Sequence, residues 1–487
     1  MKKNIYFTIL MIGILSLTLI VCFCGKDHDQ DDIDAANQLI AAFNQSPLGF
    51  QMKVEPENIV VKPKGNNRFH ITFKKPAMTF DTSIYKTFAF GENIKEKKIP
   101  FTADEISYIF GPKEKYLEAV SMKGMTFKWD WAEMIKESKT MGETPPAFRM
   151  NLEMSLGNVT FKNFNISAIL EPKTKDYLEM MALIIKDNPS VEWELENMTY
   201  DLTFPIVEKK MIAVSLAAEK IEGSHIVGQE IFTAFYKKDA PSPDFKKILE
   251  QGMAVFDIKA NCNGFKVTVK ENSKELGGGF IEKTSFSYFV KPEKSKSAFV
   301  YGFTWDLENL ELSIPDKKEI ELAGNIKEMK MNFSLANLNP AFAQTLFDLI
   351  KKSIEISAVA DQESAKQQQM MMGIQFGTAI ISSKPVIKAS LSPLKHYFGE
   401  LSAEMNFQFK VMGAPPVGKA IVNISNIEGI IKKLKAEEIL SPAAVDAIIK
   451  IIKKIVVTDE KGNGSITFEL KQDHPREYFL NGKAGNL

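Results

Sequence analysis

Any chemistry in this chain would have to come from five histidines, three cysteines, four tryptophans and its carboxylates. The histidines are scattered. His70 takes the wet position of an alternating segment, between Phe69 and Ile71. His225 follows Ser224 in an expected loop, His396 precedes an aromatic pair, and His474 precedes Pro475. His28 stands among Asp27, Asp29, Asp31 and Asp32. Adjacent loose ligands do not fix a coordination geometry, so that stretch reads as a solvated linker. Glu194 and Glu196 share one strand face and read as solvated. There is no Gly-x-Ser-x-Gly, His-Glu-x-x-His, phosphate-cradling glycine loop or Cys-x-x-Cys. The expectation is a non-enzymatic protein with no catalytic, metal or cofactor residue. An enzyme assembled from distant segments is the remaining alternative. Trp129, Trp131, Trp193 and Trp305 all lie in alternating segments. Such rings pack cores, and they are also the candidate aromatics of a ligand groove.

Cys22 and Cys24 close an uncharged apolar run that begins at Ile5, after Lys2 and Lys3. A polar, acidic stretch follows Gly25. This is the pattern of an export signal, with the body outside the cytoplasm. Two forms of anchor stay open. The run is long enough for a single membrane helix. Alternatively Cys22, after Leu19-Ile20-Val21, is a lipidation site, with Cys24 as the second candidate. Val21 and Phe23 depart from the small residue such signals carry before the cysteine. Cys262 stands alone in the body and reads as a small buried hydrophobe.

The elements that must position any site are mostly strands. The chain has 487 residues, 45% of them hydrophobic, enough for two or more domains. Lysine plus arginine and aspartate plus glutamate number 61 each, and only Arg68, Arg149 and Arg476 are arginines. Nothing there draws the chain to nucleic acid. Alternation of apolar and polar residues dominates from about residue 50, as in Phe69–Phe73, Met125–Trp131 and Phe148–Met154. The pattern apolar-x-Leu/Ile-x-Asn-apolar appears five times, centred on Asn158, Asn197, Asn309, Asn337 and Asn426. A degenerate copy runs from Val54 to Ile59. Apolar residues fall every second position before the Asn but step by three across it. Such a step predicts an extra residue, as a bulge or tight bend, with Asn in a left-handed conformation. The segments before Trp193 and Trp305 form a weak longer repeat, Ile169–Lys175 and Phe289–Lys296. Helices are expected over Asp34–Phe43, Lys175–Lys186, Asp244–Gly252, Ala341–Lys352, Asp361–Ser382, Glu428–Lys435 and Ser441–Lys454. Turns are expected at Lys64–Asn67, Gly277–Gly279 and Lys461–Gly464.

Ser383-Lys384-Pro385-Val386-Ile387-Lys388-Ala389-Ser390-Leu391-Ser392-Pro393-Leu394, followed by Gly399–Ala403, resembles the C-terminal part of the YdgA-like family of bacterial envelope proteins. The passage Met329–Phe347 and the closing Tyr478–Lys483 are similar as well. The likeness covers residues 330–487 and implies an N-terminal membrane segment; the family has no established catalytic residues to carry over. The repeated strand-Asn units also resemble, in style alone, AsmA-like envelope proteins, whose β grooves are linked to lipid movement.

The expected organisation is an anchor or signal over residues 1–24, a linker and short helix over 25–50, a repetitive antiparallel β region over 51–330, and a β region with helices over 331–487. The expected fold is α+β and β-dominated, a curved antiparallel sheet with helices packed mainly in the C-terminal part. The expected partners are the membrane, through the N-terminus, and lipid or envelope proteins on the cell-envelope side. A lipid-handling apolar groove and a scaffold docking through sheet edges are the two roles left open. If Cys22 or Cys24 is lipidated, changing both to Ala abolishes metabolic labelling by a radioactive fatty acid; undiminished labelling of the double variant rules the assignment out.

Overall fold

The computed structural model describes residues 40, 44, 50–65, 68–81, 98–111, 116–130, 151–165, 177–188, 190–205, 211–236, 242–295, 297–315, 324–359, 370–375, 377–379, 382–396, 398–410, 415–436 and 441–486. The expected anchor, linker, most of the Asp34–Phe43 helix and the repeat segment Ile169–Lys175 lie outside them. The chain is β-dominated, with a large antiparallel sheet that is not closed. It divides into two compact units, residues 1–243 with 270–274, and residues 244–269 with 275–487. Position 330 lies inside a strand of the second unit.

The first unit contains β1 (Phe50–Lys53), β2 (Ile59–Gly65), β3 (Arg68–Lys74), β4 (Ala77–Asp81), β5 (Lys98–Thr102), β6 (Glu105–Gly111), β7 (Tyr116–Asp130), β8 (Asn151–Asn165), β9 (Ser190–Pro205) and β10 (Met211–Val227). One edge of β7 pairs along its length with β8, which continues through β9 to β10. Its other edge is shared. The first half pairs with β6, then β3 and β2; the second meets β5, then β4 and β1. The break between those halves is a line of main-chain bonds. Lys75 N–H donates to Asp104 O (2.8 Å), and Asp104 N–H to Lys123 O (2.9 Å). Gly124, at φ +60°, completes it; a Cβ there would lie 2.1 Å from Asp104 Oδ2. Alternate residues fill the core: Ile71, Phe73, Phe110, Val120 and Phe161 are each fully buried. Helices α1 (Tyr177–Asp187) and α2 (Gln229–Tyr236) pack together in this unit. Helix α2 has no counterpart among the expected helices; its aromatic and β-branched residues favour strand.

The second unit opens with α3 (Phe245–Gln251), capped by Asp244, which accepts from Lys247 N–H, and ended by left-handed Gly252. Its strands are β11 (Phe256–Glu271), β12 (Lys274–Pro292), β13 (Phe299–Ser313), β14 (Ile326–Leu338), β15 (Val386–His396), β16 (Gly399–Gln408), β17 (Val417–Ser425), β18 (Val457–Thr458), β19 (Gly464–Leu470), β20 (Glu477–Leu480) and β21 (Lys483–Asn486). From β12 to β17 each strand pairs antiparallel with its successor. Strand β19 adds to β17 and carries β20, then β21. Helix α4 (Pro340–Val359) fills the β14–β15 connection; α5 (Ile427–Ala436) and α6 (Pro442–Ile455) lie between β17 and β18. Phe245 of α3 meets Phe299 and Phe347, with ring centroids 6.4 and 5.9 Å apart, so α3 and α4 close one end of this sheet. Of the expected long helix Asp361–Ser382, residues 370–375, 377–379 and 382 are helical.

Four of the five repeat asparagines are left-handed: Asn197 (φ +52°), Asn309 (+49°), Asn337 (+63°) and Asn426 (+52°). Asn158 is not, and the residue aligned with the left-handed positions of its neighbours is Gly157. The expected extra residue is absent at three copies. Leu195 pairs with Ile221 and Met198 with Ala218, an unchanged register around Asn197. Register is equally unchanged around Asn158 and Asn309. The kink instead crosses neighbouring strands at one level, Gly124–Gly157–Asn197–Glu219, so all of them change apolar parity together and no strand slips. Of the five copies only Asn337 lies at a true bulge, where β14 has one residue more than β13 between paired positions. Asn426 is a strand-to-helix cap, accepting from Gly429 N–H at 3.0 Å. The degenerate copy is a 3₁₀ turn, Pro56–Asn58.

Asn309→Val, which resists a left-handed backbone, is expected to destabilise the chain by about 1–2 kcal/mol, whereas Asn309→Gly changes it by about half a kcal/mol or less. Urea denaturation distinguishes the two; equal midpoints would show that the conformation at 309 carries no constraint.

Candidate functional site

The registers of the second unit align side chains into rows. One row runs Tyr288–Phe303–Phe333–Ala389–Met405–Ala420–Phe468–Leu480 across eight strands. The next row on the same face runs Phe286–Trp305–Met331–Leu391–Ala403–Val422–Ile466. The row between them, on the other face, is Ser287–Thr304–Asn332–Ser390–Glu404–Ile421–Thr467. The period-two alternation of each strand thus becomes one apolar face and one nearly polar face.

None of the fifteen side chains in the two apolar rows is buried; most are half-buried and Phe286 is 38% exposed. Sheet faces that pack a core look different, as the fully buried rings of Phe73, Phe110 and Phe161 in the first unit show. The rings on the open face touch each other. Tyr288 stacks on Phe256 at 4.9 Å and meets Tyr301 edge-on at 5.3 Å; Phe286 lies 5.4 Å from Phe303. At strand spacings of 4.7–4.9 Å, an eight-strand row spans roughly 34 Å.

Past Asn309 the apolar positions shift to Leu310 and Leu312 of β13 and Ile314 just beyond it. They line a cavity of about 450 Å³ with Phe265, Val267, Val269, Leu276, Ile281 and the run Gly277–Gly279. The three glycines were expected to form a turn. They lie inside β12 instead, and a Cβ on Gly278 would come within 2.5 Å of the Val267 carbonyl oxygen. Their lack of side chains lets the strands approach and leaves the cavity its floor. The turn of this hairpin is Asn272-Ser273, both at positive φ (+46° and +71°). Every cavity-lining residue is apolar or glycine, so the site offers burial of hydrocarbon and no specific polar recognition.

The polar face is laced with ions. Glu328 accepts from Lys395 at 2.6 Å and lies 3.1 Å from Lys330. The Lys395 bond, then the Lys330 bond, hold its carboxyl below the usual carboxylate range. Exposed pairs of this kind add little stability, but they keep that face wet. Asp257 is buried, 3.7 Å from Lys291 and 3.9 Å from Lys259, and its Oδ1 has no hydrogen-bond partner.

The four tryptophans are not brought together by the described residues. Trp305 lies on the apolar face, its indole N–H donating to Thr284 Oγ1 at 2.8 Å. Trp193 is half-buried on β9 of the first unit. The side chain of Trp129, and Trp131 altogether, lie outside the described residues, as do Cys22 and Cys24. His225 is in strand β10, opposite Val191, rather than in a loop, and burial pushes its pKa down. His70 is exposed, His396 stacks on Phe398 at 5.1 Å, and His474 Nδ1 lies 3.1 Å from Glu477. Glu194 and Glu196 are half-buried and partnered, with Lys220 (3.4 Å) and the Asn158 amide (3.1 Å) respectively. Among the described residues no group of three or more His, Cys, Asp or Glu is placed to hold a metal ion, and no helix is long and apolar enough to cross a membrane. No family model, curated protein or solved structure matches the chain.

Cys262 is half-buried rather than fully buried, and burial pushes its thiol up to about 11. At pH 8 that leaves about one thiolate in a thousand, against about one in four for an ordinary thiol. Alkylation of Cys262 in the native protein, read by peptide mass spectrometry, is expected to run roughly two orders of magnitude slower than in urea; equal rates would contradict this assignment.

Proposed function

We propose that this protein is a membrane-tethered, non-enzymatic component of the bacterial cell envelope that holds lipid acyl chains on the open apolar face of its second unit. The observation that carries the reading is that face: two adjacent cross-strand rows of apolar side chains, none of them buried. Its span of roughly 34 Å exceeds the length of one acyl chain, which crosses about half of a bilayer's roughly 30 Å hydrocarbon core. Each methylene removed from water contributes about 0.8 kcal/mol, so binding needs no polar anchor. The adjoining cavity would receive a chain end. The N-terminal basic-apolar-polar pattern supports the tether and the envelope side, and the resemblances to YdgA-like and AsmA-like proteins agree with it.

Met405→Glu puts a charge in the middle of the first row and is expected to weaken binding of a fluorescent fatty acid at least about tenfold, since an unpaired carboxylate cannot be covered by hydrocarbon cheaply. Asn332→Asp, on the wet face, should leave binding unchanged. Native mass spectrometry of protein purified without delipidation should show bound lipid. A lipid-free protein whose affinity is indifferent to Met405→Glu would sink the reading.

A further inference from the structure

Helices α5 and α6 form a second, differently built surface in the second unit. Their inner sides are accounted for. Ile427 and Ile430 of α5 press on Gly464 and Gly399, where an added Cβ would come within 2.2 and 2.6 Å of them. Val445 of α6 is buried, and the Asn481 amide donates to Ile455 O at 2.6 Å, pinning the end of that helix. The outer side of α6 carries Ala443, Ala447 and Ile451, four residues apart and exposed, so they form one stripe. Ile451 is 56% exposed, and Val457 just beyond the helix 55%. Lys450 and Lys454 flank the stripe, and Lys432, Lys433 and Lys435 are exposed on α5. Against these five lysines the described exposed side chains of the two helices offer two carboxylates, Glu428 and Asp446, and two more, Asp459 and Glu460, are exposed just past Val457. Lys432, Lys435, Lys450 and Lys454 form no ion pair among the described residues.

The helix dipole accounts for Lys433 and Lys435 in the last turn of α5. It does not account for aliphatic side chains exposed between lysines. Protein-binding surfaces favour aromatic residues and arginine and are poor in lysine. Residues 427–455 contain no aromatic residue and no arginine. Lysines flanking an exposed aliphatic stripe match instead an anionic lipid surface, where each lysine contributes about 1 kcal/mol and aliphatic groups enter the headgroup boundary. We propose that α5 and α6 seat the second unit on an anionic bilayer, with Ile451 and Val457 entering the headgroup boundary and Lys432, Lys435, Lys450 and Lys454 pairing with lipid phosphates.

The proposal does not depend on what the apolar sheet face binds. Full-length protein is reconstituted with vesicles of phosphatidylcholine alone or of an equal mixture with phosphatidylglycerol, and its lysines are labelled with an amine reagent read by mass spectrometry. Labelling of Lys450 and Lys454 is expected to fall roughly tenfold on the anionic vesicles only, and to recover at high salt, in line with screened lysine–lipid attraction. Exposed Lys419 on β17 serves as the internal reference. Ile451→Asp, at an exposed position that leaves folding intact, should restore labelling, while Met405→Glu should keep the protection. Labelling that is equal on both vesicle types, protection that appears on both, or protection unaffected by Ile451→Asp would overturn it.

Discussion

A strand shows its side chains to alternate sides, and a shift of one residue moves them all to the other side. That constraint governs this molecule. In the second unit the registers from β12 to β19 put apolar residues opposite apolar residues on strand after strand. One slip between β15 and β16 would set Ala389 and Leu391 against polar neighbours and break both rows. The left-handed residues act on the same constraint. Asn197 and Asn309 change the parity of their strands, and the neighbouring strands change with them without a shift in register. Asn is suited to the position because its short polar side chain tolerates the left-handed conformation and finds a partner there, as Asn309 does across the strand pair with Glu282.

The two units put that alternation to different uses. In the first, β7 is shared between two groups of strands, and their facing residues exclude water around Phe73, Tyr108 and Phe161. In the second, helices α3 and α4 cover one end, and the middle of the sheet keeps its apolar rows half in water. A face of that kind costs stability unless something covers it.

Much of this was legible in the sequence. Alternation fixed the β character, as at Phe69–Phe73, and the expected helix Asp244–Gly252 closely brackets the observed Phe245–Gln251. The step of three across each Asn pointed to a left-handed residue, which four of the five copies have. Its consequence was not legible. Whether a parity change is a bulge depends on what the neighbouring strand does at the same level, and one strand's residues do not contain that. The same limit hid the candidate face, since Phe303, Phe333, Met405 and Phe468 are far apart in sequence and are joined only by register. Gly277–Gly279 was misread because consecutive glycines serve a turn and a crowded strand equally well. Among the described side chains tryptophan, the most conspicuous residue type, marked the face at Trp305 alone.

The strands from β12 to β17 follow one another as a plain meander. In such an arrangement reach is a matter of repetition. Inserting one further hairpin would extend the apolar rows by roughly 10 Å at ordinary strand spacing, replacing one existing strand pair with three and leaving the others unchanged. A sheet built on this plan can therefore widen its apolar face by duplicating a few dozen residues, leaving the side-chain chemistry of that face untouched.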